Sequence, residues 1–200
     1  MNTANPDLSA LWESMVLTDS ARFAAPCAAI QLAQSRYSAV EARTGVPWIV
    51  IGCLHQRESS GNFNCHLSNG DPLTGRTVHV PAGRPTAGCP PFPWEESAVD
   101  ALSYEGLAGL KWDLLSTLYR IERFNGLGYR QHGIYSPYLW AGTNHYAQGK
   151  YASDGVYEDH ISDHQPGCAG MLSVLRYQAP HLATHPSFWQ RAEAAIERIL

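Results

Sequence analysis

Residues 46–54 form a run, VPWIVIGCL, that would be apolar on every side of a helix. A helix that is hydrophobic all round has to be enclosed by other elements, so this run predicts a buried central helix. Pro47 suits the first turn of such a helix. The run continues into Arg57 and Glu58. Any fold of this chain therefore has to pack other elements around this helix and accommodate charged side chains at its carboxyl end.

Helical periodicity elsewhere predicts further helices around it. Asp19 and Ser20 offer an N-cap for a long helix that is expected to end near Arg43, and Thr44-Gly45 ends it. Apolar residues recur at helical spacing in several later segments. The further predicted helices begin at Pro93, run from 110 to 124, lie around 168–177 and run from 186 to 200.

Residues 59–93 are rich in turn-forming residues instead. Asn69-Gly70-Asp71-Pro72 is the clearest turn, and Arg76 to Val80 alternates in the manner of one short strand. We expect a small hairpin or an irregular β-lobe here. The predicted fold class is α+β, mainly α-helical, with a small β-hairpin lobe after the buried helix. The length of 200 residues predicts a single domain covering 1–200.

The bulk composition excludes several classes of protein. A net charge of −4 and a pI near 6.1 argue against a nucleic-acid binder. No apolar run is long enough for a membrane span, so no membrane partner is expected. The first residues, MNTANPDLSALWESM, lack the basic and apolar regions of a signal peptide. We therefore expect a protein that stays cytoplasmic until it is released to its substrate. We also expect it to be a monomer.

The cysteines do not indicate a disulfide framework or a metal site. There are five of them, an odd number, and none forms a CxxC pair. Free thiols are the favoured interpretation, although Cys65 and Cys89 both fall in predicted loops and a bond between them stays open. His160 and His164 have a spacing that can bind zinc on a helix, but EDHISDHQPG lacks an apolar stripe and favours an exposed turn. No metal or other cofactor is expected.

Glu58 is the carboxylate whose setting best suits catalysis. Cleavage of a glycosidic bond needs a carboxyl group that is still protonated near neutral pH, and burial beside apolar walls raises the pKa of a Glu. Trp48 and Leu54 precede Glu58 on the apolar helix, and Phe63 follows it. The structural alternative is a Glu that pairs with a neighbouring cation at the helix end. Glu122 is a reserve site residue, for which an ion pair is the default expectation.

The segment Arg57 to Phe63, RESSGNF, resembles the helix end of soluble lytic transglycosylases and goose-type lysozymes, where the Glu is the catalytic acid. The order Glu58, Asp71, Thr77 resembles that of phage-type lysozymes, in which the Asp and Thr hold the catalytic water. The spacing from Glu58 to Asp71 is longer here than in that family. The resemblance implies a lysozyme-like fold. It also implies a muramidase or endolysin cutting the β-1,4 bond between N-acetylmuramic acid and N-acetylglucosamine in peptidoglycan.

In that interpretation Glu58 is the general acid, Asp71 is the base that orients water, and Thr77 helps to hold the water. A phage, prophage or secretion-machinery setting would then bring the protein to the cell wall. The open alternatives are a lytic transglycosylase that uses Glu58 alone and a chitinase- or chitosanase-like glycosidase. A glycan-binding module without the chemistry is the alternative from outside the enzymes.

The segment from Gly128 to Tyr157 is the most aromatic part of the chain. Sugar rings stack on Tyr and Trp, and amides bind their hydroxyl groups. We therefore expect Tyr138, Asn144 and Tyr146 to line a substrate groove, and this segment loosely resembles the groove segment of transglycosylases. The alternative is that these rings fill a second small core.

Overall fold

The structure is a computed structural model that describes residues 6–153 and 155–177. Within them it is mainly helical, with one two-stranded antiparallel sheet. The α+β, mainly helical class is therefore confirmed. The helices are α1 Leu8–Glu13, α2 Ala21–Leu32, α3 Gln34–Thr44, α4 Trp48–Ser59, α5 Trp94–Tyr104, α6 Leu114–Asn125, α7 Pro137–Trp140 and α8 Cys168–Val174. The strands are β1 Lys150–Ser153 and β2 Val156–Glu158, and a 3-10 helix covers Gly128–His132.

Helix α4 lies at the centre of the molecule. It packs against α2, α3, α6 and α8, and its residues from Val50 to Arg57 are all buried. The all-round apolar run at 46–54 therefore folds as predicted, because each of its faces meets another helix. The polar carboxyl end of α4 carries Glu58, which is only partly buried.

The predicted helix from Asp19 to Arg43 is wrong in one respect, because it is two helices. Helix α2 ends at Leu32 and α3 begins at Gln34, with a break at Ala33. The break lets α3 pack on α4 and α5 while α2 packs on α4 and α8. Gly45, with φ of 72°, ends α3 in the left-handed conformation that its lack of Cβ allows.

The β-lobe expected at residues 59–93 does not form as a hairpin. An isolated bridge joins Cys65 to Pro72, and Arg76 to Val80 is not a strand. The backbone N–H groups of Val78 and His79 donate to the Asp71 carboxylate, so they have no need of a neighbouring strand. The hairpin of the described chain lies instead at 150–158, where Tyr151 pairs with Tyr157.

The remaining helices differ from expectation mainly at their ends. Helix α6 begins later than expected, at Leu114, because Asp113 and Ser116 form a capping box there. Helix α1 was not predicted. The helix expected at 186–200 lies outside the described residues. No helix in 6–153 or 155–177 is long and apolar enough to cross a membrane.

Candidate active site

Glu58 lies in the last turn of α4 and is held by a tyrosine from α7. The Tyr138 hydroxyl donates a hydrogen bond of 2.8 Å to Oε1 of Glu58. Tyr138 is itself fixed, because α7 is buried along its whole length. The other Glu58 oxygen, Oε2, is the one that this bond leaves for a substrate.

The pKa of Glu58 is raised to about 7. Burial is the largest cause, since it disfavours the charged carboxylate. The hydrogen bond from Tyr138 and the charge of Arg57 lower the pKa, and Glu105 raises it again. Near neutral pH a substantial fraction of Glu58 is therefore protonated, which is the state that a general acid needs.

The structural alternative for Glu58, an ion pair with a neighbour on α4, is not what the structure contains. His55 is buried, and its Nδ1 lies 2.9 Å from the Tyr37 hydroxyl. Arg57 turns the other way and binds Asp163, with 2.7 Å between Nη2 and Oδ2. The ion-pair partner of the neighbouring cation is thus Asp163 and not Glu58.

Glu58 opens into a cleft of about 530 Å³. One part of the cleft wall is aromatic, with Tyr129, Tyr138 and Tyr151. The Tyr151 ring is held in place because its hydroxyl accepts hydrogen bonds from Gln131 and contacts Nε2 of His132. The charged groups that line the cleft are Arg57, Glu58, Lys150 and Asp163. A cavity of this size, with polar and charged groups beside tyrosine rings, can hold a small polar organic group such as a sugar.

Asp163 is one of the cleft residues that sequence reasoning missed, with Lys150 and Gln165. Its carboxylate is buried, binds Arg57 and has the Lys150 ammonium at 3.6 Å. Burial alone would raise the pKa of Asp163, but Arg57, the Gln165 backbone and Lys150 lower it below its ordinary value. The one signal in this stretch of the sequence is the spacing between His160 and His164, which points to a metal site and not to the cleft. Nothing in the sequence connects Asp163 to Arg57, because 106 positions separate them.

Asp71 and Thr77 do not line the Glu58 cleft. Both oxygens of Asp71 are bound, Oδ1 to the His79 ring at 2.6 Å and Oδ2 to the backbone N–H groups of Val78 and His79. Burial alone would raise the pKa of Asp71, but these bonds lower it to about 2. Thr77 donates to the Pro81 carbonyl and accepts from the Arg84 N–H. In the structure, both residues hold the loop between 71 and 84 together.

Of the three predicted groove residues, only Tyr138 lines the cleft. Tyr138 lies in the cleft, although it is buried and bonded to Glu58. Asn144 instead bridges the backbone of Val16 and Ser14. The Tyr146 hydroxyl donates to the Gly149 carbonyl and accepts from the Asp163 N–H. Asn144 and Tyr146 are not among the residues that line the cleft.

Glu122, the two histidines and the cysteines are not among the residues that line the cleft. Glu122 pairs with Arg130 at 2.7 Å. His160 and His164 are exposed, and His160 lies 3.2 Å from Asp159. All five cysteines, including Cys65 and Cys89, are free thiols. Across the described ranges, no group of three or more His, Cys, Asp or Glu residues is placed to hold a metal ion.

Comparison of the chain with protein-family models, with curated proteins and with solved structures finds no match. The chemistry of the cleft is therefore inferred from its own groups. A carboxyl group with a pKa near 7 can donate a proton to a leaving oxygen and take one back within the same cleft. The partly exposed ring of Tyr151 gives the cleft an apolar surface on which a ring-shaped substrate can stack.

Proposed function

We propose that this chain cleaves the β-1,4 bond between N-acetylmuramic acid and N-acetylglucosamine in peptidoglycan strands. The observation that carries the proposal is the Glu58 carboxyl, whose pKa is about 7 and which a buried tyrosine holds at the wall of a cleft. We also propose a lysozyme-like fold, because a buried helix carries the acid at its end and a turn-rich segment follows it. The resemblance of RESSGNF to the catalytic helix end in that superfamily supports this choice.

The geometry favours a reaction that uses one carboxyl group, as in lytic transglycosylases. Glu58 donates its proton to the glycosidic oxygen as the bond from that oxygen to C1 breaks. The Glu58 carboxylate then removes the proton of the C6 hydroxyl of the same sugar, whose oxygen bonds to C1 and closes a 1,6-anhydro ring. The proton returns to Glu58, so no water is consumed and no second carboxylate is needed.

The position of the other carboxylates supports this version. Asp71 has both oxygens bound within its own loop and does not line the cleft. Asp163 does line the cleft, but its side chain is only 2% exposed and is bound to Arg57. Neither is arranged to activate a water molecule next to Glu58.

The lining of the cleft also suits an N-acetylated sugar. Tyr151 offers a partly exposed ring for stacking, while the amide side chains of Asn125 and Gln165 line the same cleft and can bind hydroxyl and acetamido groups. At Gly126 and Gly155 nothing lies within 4 Å of the position of a Cβ, which leaves the backbone open to a close approach.

The test is digestion of purified peptidoglycan by the wild-type protein and by the Glu58→Gln variant, followed by mass spectrometry of the fragments. We expect muropeptides with 1,6-anhydro ends from the wild type and at least a 100-fold lower rate from Glu58→Gln. Glu13→Gln is the matched control, because Glu13 is exposed on α1, and it should cleave normally. If Glu58→Gln clears cell walls as fast as the wild type, the chain does not use Glu58 as its acid.

A hydrolase that uses Asp71 is the second candidate. Two observations favour it: the low pKa keeps Asp71 ionised, and Gly70 packs against the Glu58 carbonyl, where an added Cβ would lie 3.1 Å away. The Asp71 loop is therefore next to the end of α4. This version predicts reducing ends of ordinary mass and a large loss of rate in Asp71→Asn. The transglycosylase version predicts that folded Asp71→Asn retains most of its rate.

The wild type and the Glu58→Gln variant also distinguish two further alternatives. A chitinase- or chitosanase-like enzyme would cut chitin or chitosan oligomers faster than peptidoglycan, and again only with Glu58 intact. A glycan-binding module would sediment with peptidoglycan equally well as wild type and as Glu58→Gln, with no fragments released by either.

A further inference from the structure

The carboxyl group of Asp163 is the best-buried charge in the cleft, and its contacts lead towards Glu58. Its oxygen Oδ2 lies 2.7 Å from Nη2 of Arg57, and the two side chains are 2% and 5% exposed. The other oxygen accepts the Gln165 N–H at 2.9 Å. The backbone of Asp163 is also held, by the Tyr146 hydroxyl at its N–H and by Arg22 at its carbonyl. Asp163 is thus fixed from several elements at once.

Arg57 connects this anchor to the acid. Its guanidinium carbon lies 4.8 Å from the centre of the Tyr138 ring, and the hydroxyl of that ring is the donor to Glu58. Arg57 also precedes Glu58 directly on α4. A bare guanidinium in this position would favour the ionised form of Glu58, because an opposite charge close by lowers the pKa of a carboxyl group.

We propose that Asp163 is a positioning residue for this reaction: its carboxylate holds the Arg57 guanidinium in an ion pair, so that Glu58 acts beside a paired cation instead of an isolated one. The inference rests on the proposed role of Glu58 as the acid. It adds a reason why that acid keeps its proton although an arginine is its neighbour. It also gives Tyr146 a role, since its hydroxyl binds the Asp163 backbone from outside the cleft.

The other charged and titratable groups around the acid are few. Those that face Glu58 are Arg57, Tyr138, Glu105 and Cys168. Arg123 faces Glu105, and Lys150 faces Asp163. Of these groups, Arg57 is the cation that lowers the pKa of Glu58 directly. The pairing of Arg57 with Asp163 therefore has a direct effect on that pKa.

The test measures the pKa of Glu58 in the whole chain without any substrate, by NMR of the ¹³C-labelled glutamate carboxyl groups. The Glu58 signal is assigned by its loss in Glu58→Gln. In Asp163→Asn the side chain keeps an oxygen that can accept the same hydrogen bonds but loses the charge. We expect the pKa of Glu58 to fall from about 7 to about 6 or below. In the Arg57→Gln/Asp163→Asn double variant it should return close to the wild-type value, because both charges are gone.

The matched control is Asp159→Asn, which removes the same charge from an exposed side chain that does not contact Arg57. It should leave the pKa of Glu58 unchanged. Thermal unfolding shows which variants are folded. If folded Asp163→Asn keeps the wild-type pKa of Glu58, the proposal is overturned, and Asp163 serves only to stabilise the fold.

If Asp163→Asn does not fold, Arg57→Gln and the double variant decide the matter. The proposal requires a pKa of Glu58 that is clearly higher in Arg57→Gln, where the Asp163 anion has lost Arg57 and keeps only Lys150 as a cationic neighbour, than in the double variant. Equal values overturn it. These NMR results stand whether or not the chain cleaves peptidoglycan, so failure of the proposed function is recognised separately by absence of cleavage in the wild type.

Activity gives a second measurement where cleavage occurs. A fall of the Glu58 pKa from about 7 to about 6 reduces the protonated fraction at pH 7 about five-fold and leaves it nearly unchanged at pH 5. Asp163→Asn should therefore lose about five-fold in rate at pH 7 and little at pH 5. An equal loss at both pH values contradicts the positioning role.

Discussion

At the scale of single residues, Glu58 combines a partly buried carboxyl with one hydrogen-bond donor, and this combination has a cost in stability. Its pKa of about 7 in the folded chain exceeds the ordinary value of 4.5. The folded state therefore binds more protons than the unfolded state between these values. By linkage, the fold loses stability as the pH rises through this window, and the full penalty is present above pH 7.

Glu58→Gln should remove this penalty. A neutral amide needs no ionisation, and its oxygen can still accept the Tyr138 hydrogen bond. We expect the variant to gain roughly 3 kcal/mol in free energy of unfolding at pH 8 and to match the wild type at pH 4. Urea unfolding at the two pH values measures both differences. An equal effect of the substitution at pH 4 and pH 8 would show that the pKa of Glu58 is not raised.

Tyr138→Phe tests the donor to Glu58. The hydrogen bond from Tyr138 stabilises the ionised form of Glu58 and thereby lowers its pKa, so its removal should raise that pKa further. The acid then also loses the contact that orients it. We expect cleavage to slow by about ten-fold or more, with little change in KM, and its alkaline limb to move to higher pH. An unchanged pH profile in the folded variant contradicts the role of Tyr138.

At the scale of elements, the site depends on helices that approach closely around α4. Gly170 of α8 lies against the fully buried ring of Phe23 on α2, and a Cβ at this position would lie 2.3 Å from a ring atom. An aromatic ring in a filled core cannot move aside cheaply. The short helix α8 thus owes its close packing to a residue without a side chain.

Gly170→Ala should therefore destabilise the fold. The overpacking is expected to exceed the roughly 1 kcal/mol that alanine gains over glycine in a helix, leaving a net loss of about 2 kcal/mol. Gly75→Ala is the control, since nothing lies within 4 Å of a Cβ there and its φ is not positive. Thermal unfolding of both variants measures the difference. A Gly170→Ala protein as stable as the control would mean that α8 and α2 pack less closely than described.

The loop that follows α4 is an element closed by side chains instead of by a sheet. Asp71 binds two successive backbone N–H groups and the His79 ring, and Thr77 joins the two ends of the segment from 77 to 84. The alternation of side chains from Arg76 to Val80 indicated a strand, but such a pattern describes side chains alone. It carries no information on which acceptor the backbone will find.

At the scale of the whole molecule, the cleft brings together side chains from α4, α6, the 3-10 helix, α7, β1 and the segment before α8. Tyr151 belongs to β1, and its ring is held against Tyr129 with 5.0 Å between centroids. If Tyr151 stacks on a sugar, Tyr151→Ala should weaken binding by about 1–2 kcal/mol and raise KM about five- to thirty-fold. The rate at saturating substrate should change less, because Glu58 is untouched.

The matched control for Tyr151 is Tyr119→Ala. Tyr119 is 41% exposed on α6 and does not line the cleft. Initial rates over a range of soluble glycan fragments give KM and kcat for both. Equal KM values for Tyr151→Ala and the wild type would show that the sugar binds elsewhere on the protein.

The sequence by itself determined the buried central helix, the mainly helical class and the position of Glu58 at the end of α4. These features follow from residues that are close in the chain, because a helix is built by local periodicity and α4 is apolar on every face. Tertiary structure alone decided that Tyr138 donates to Glu58, that Asp163 pairs with Arg57 and that Asp71 holds its own loop. The partners Tyr138 and Asp163 lie 80 and 106 positions from the α4 residues they bind. The pKa of Glu58 depends on burial and on groups that are far from it in the sequence. These groups come together only when the chain is folded.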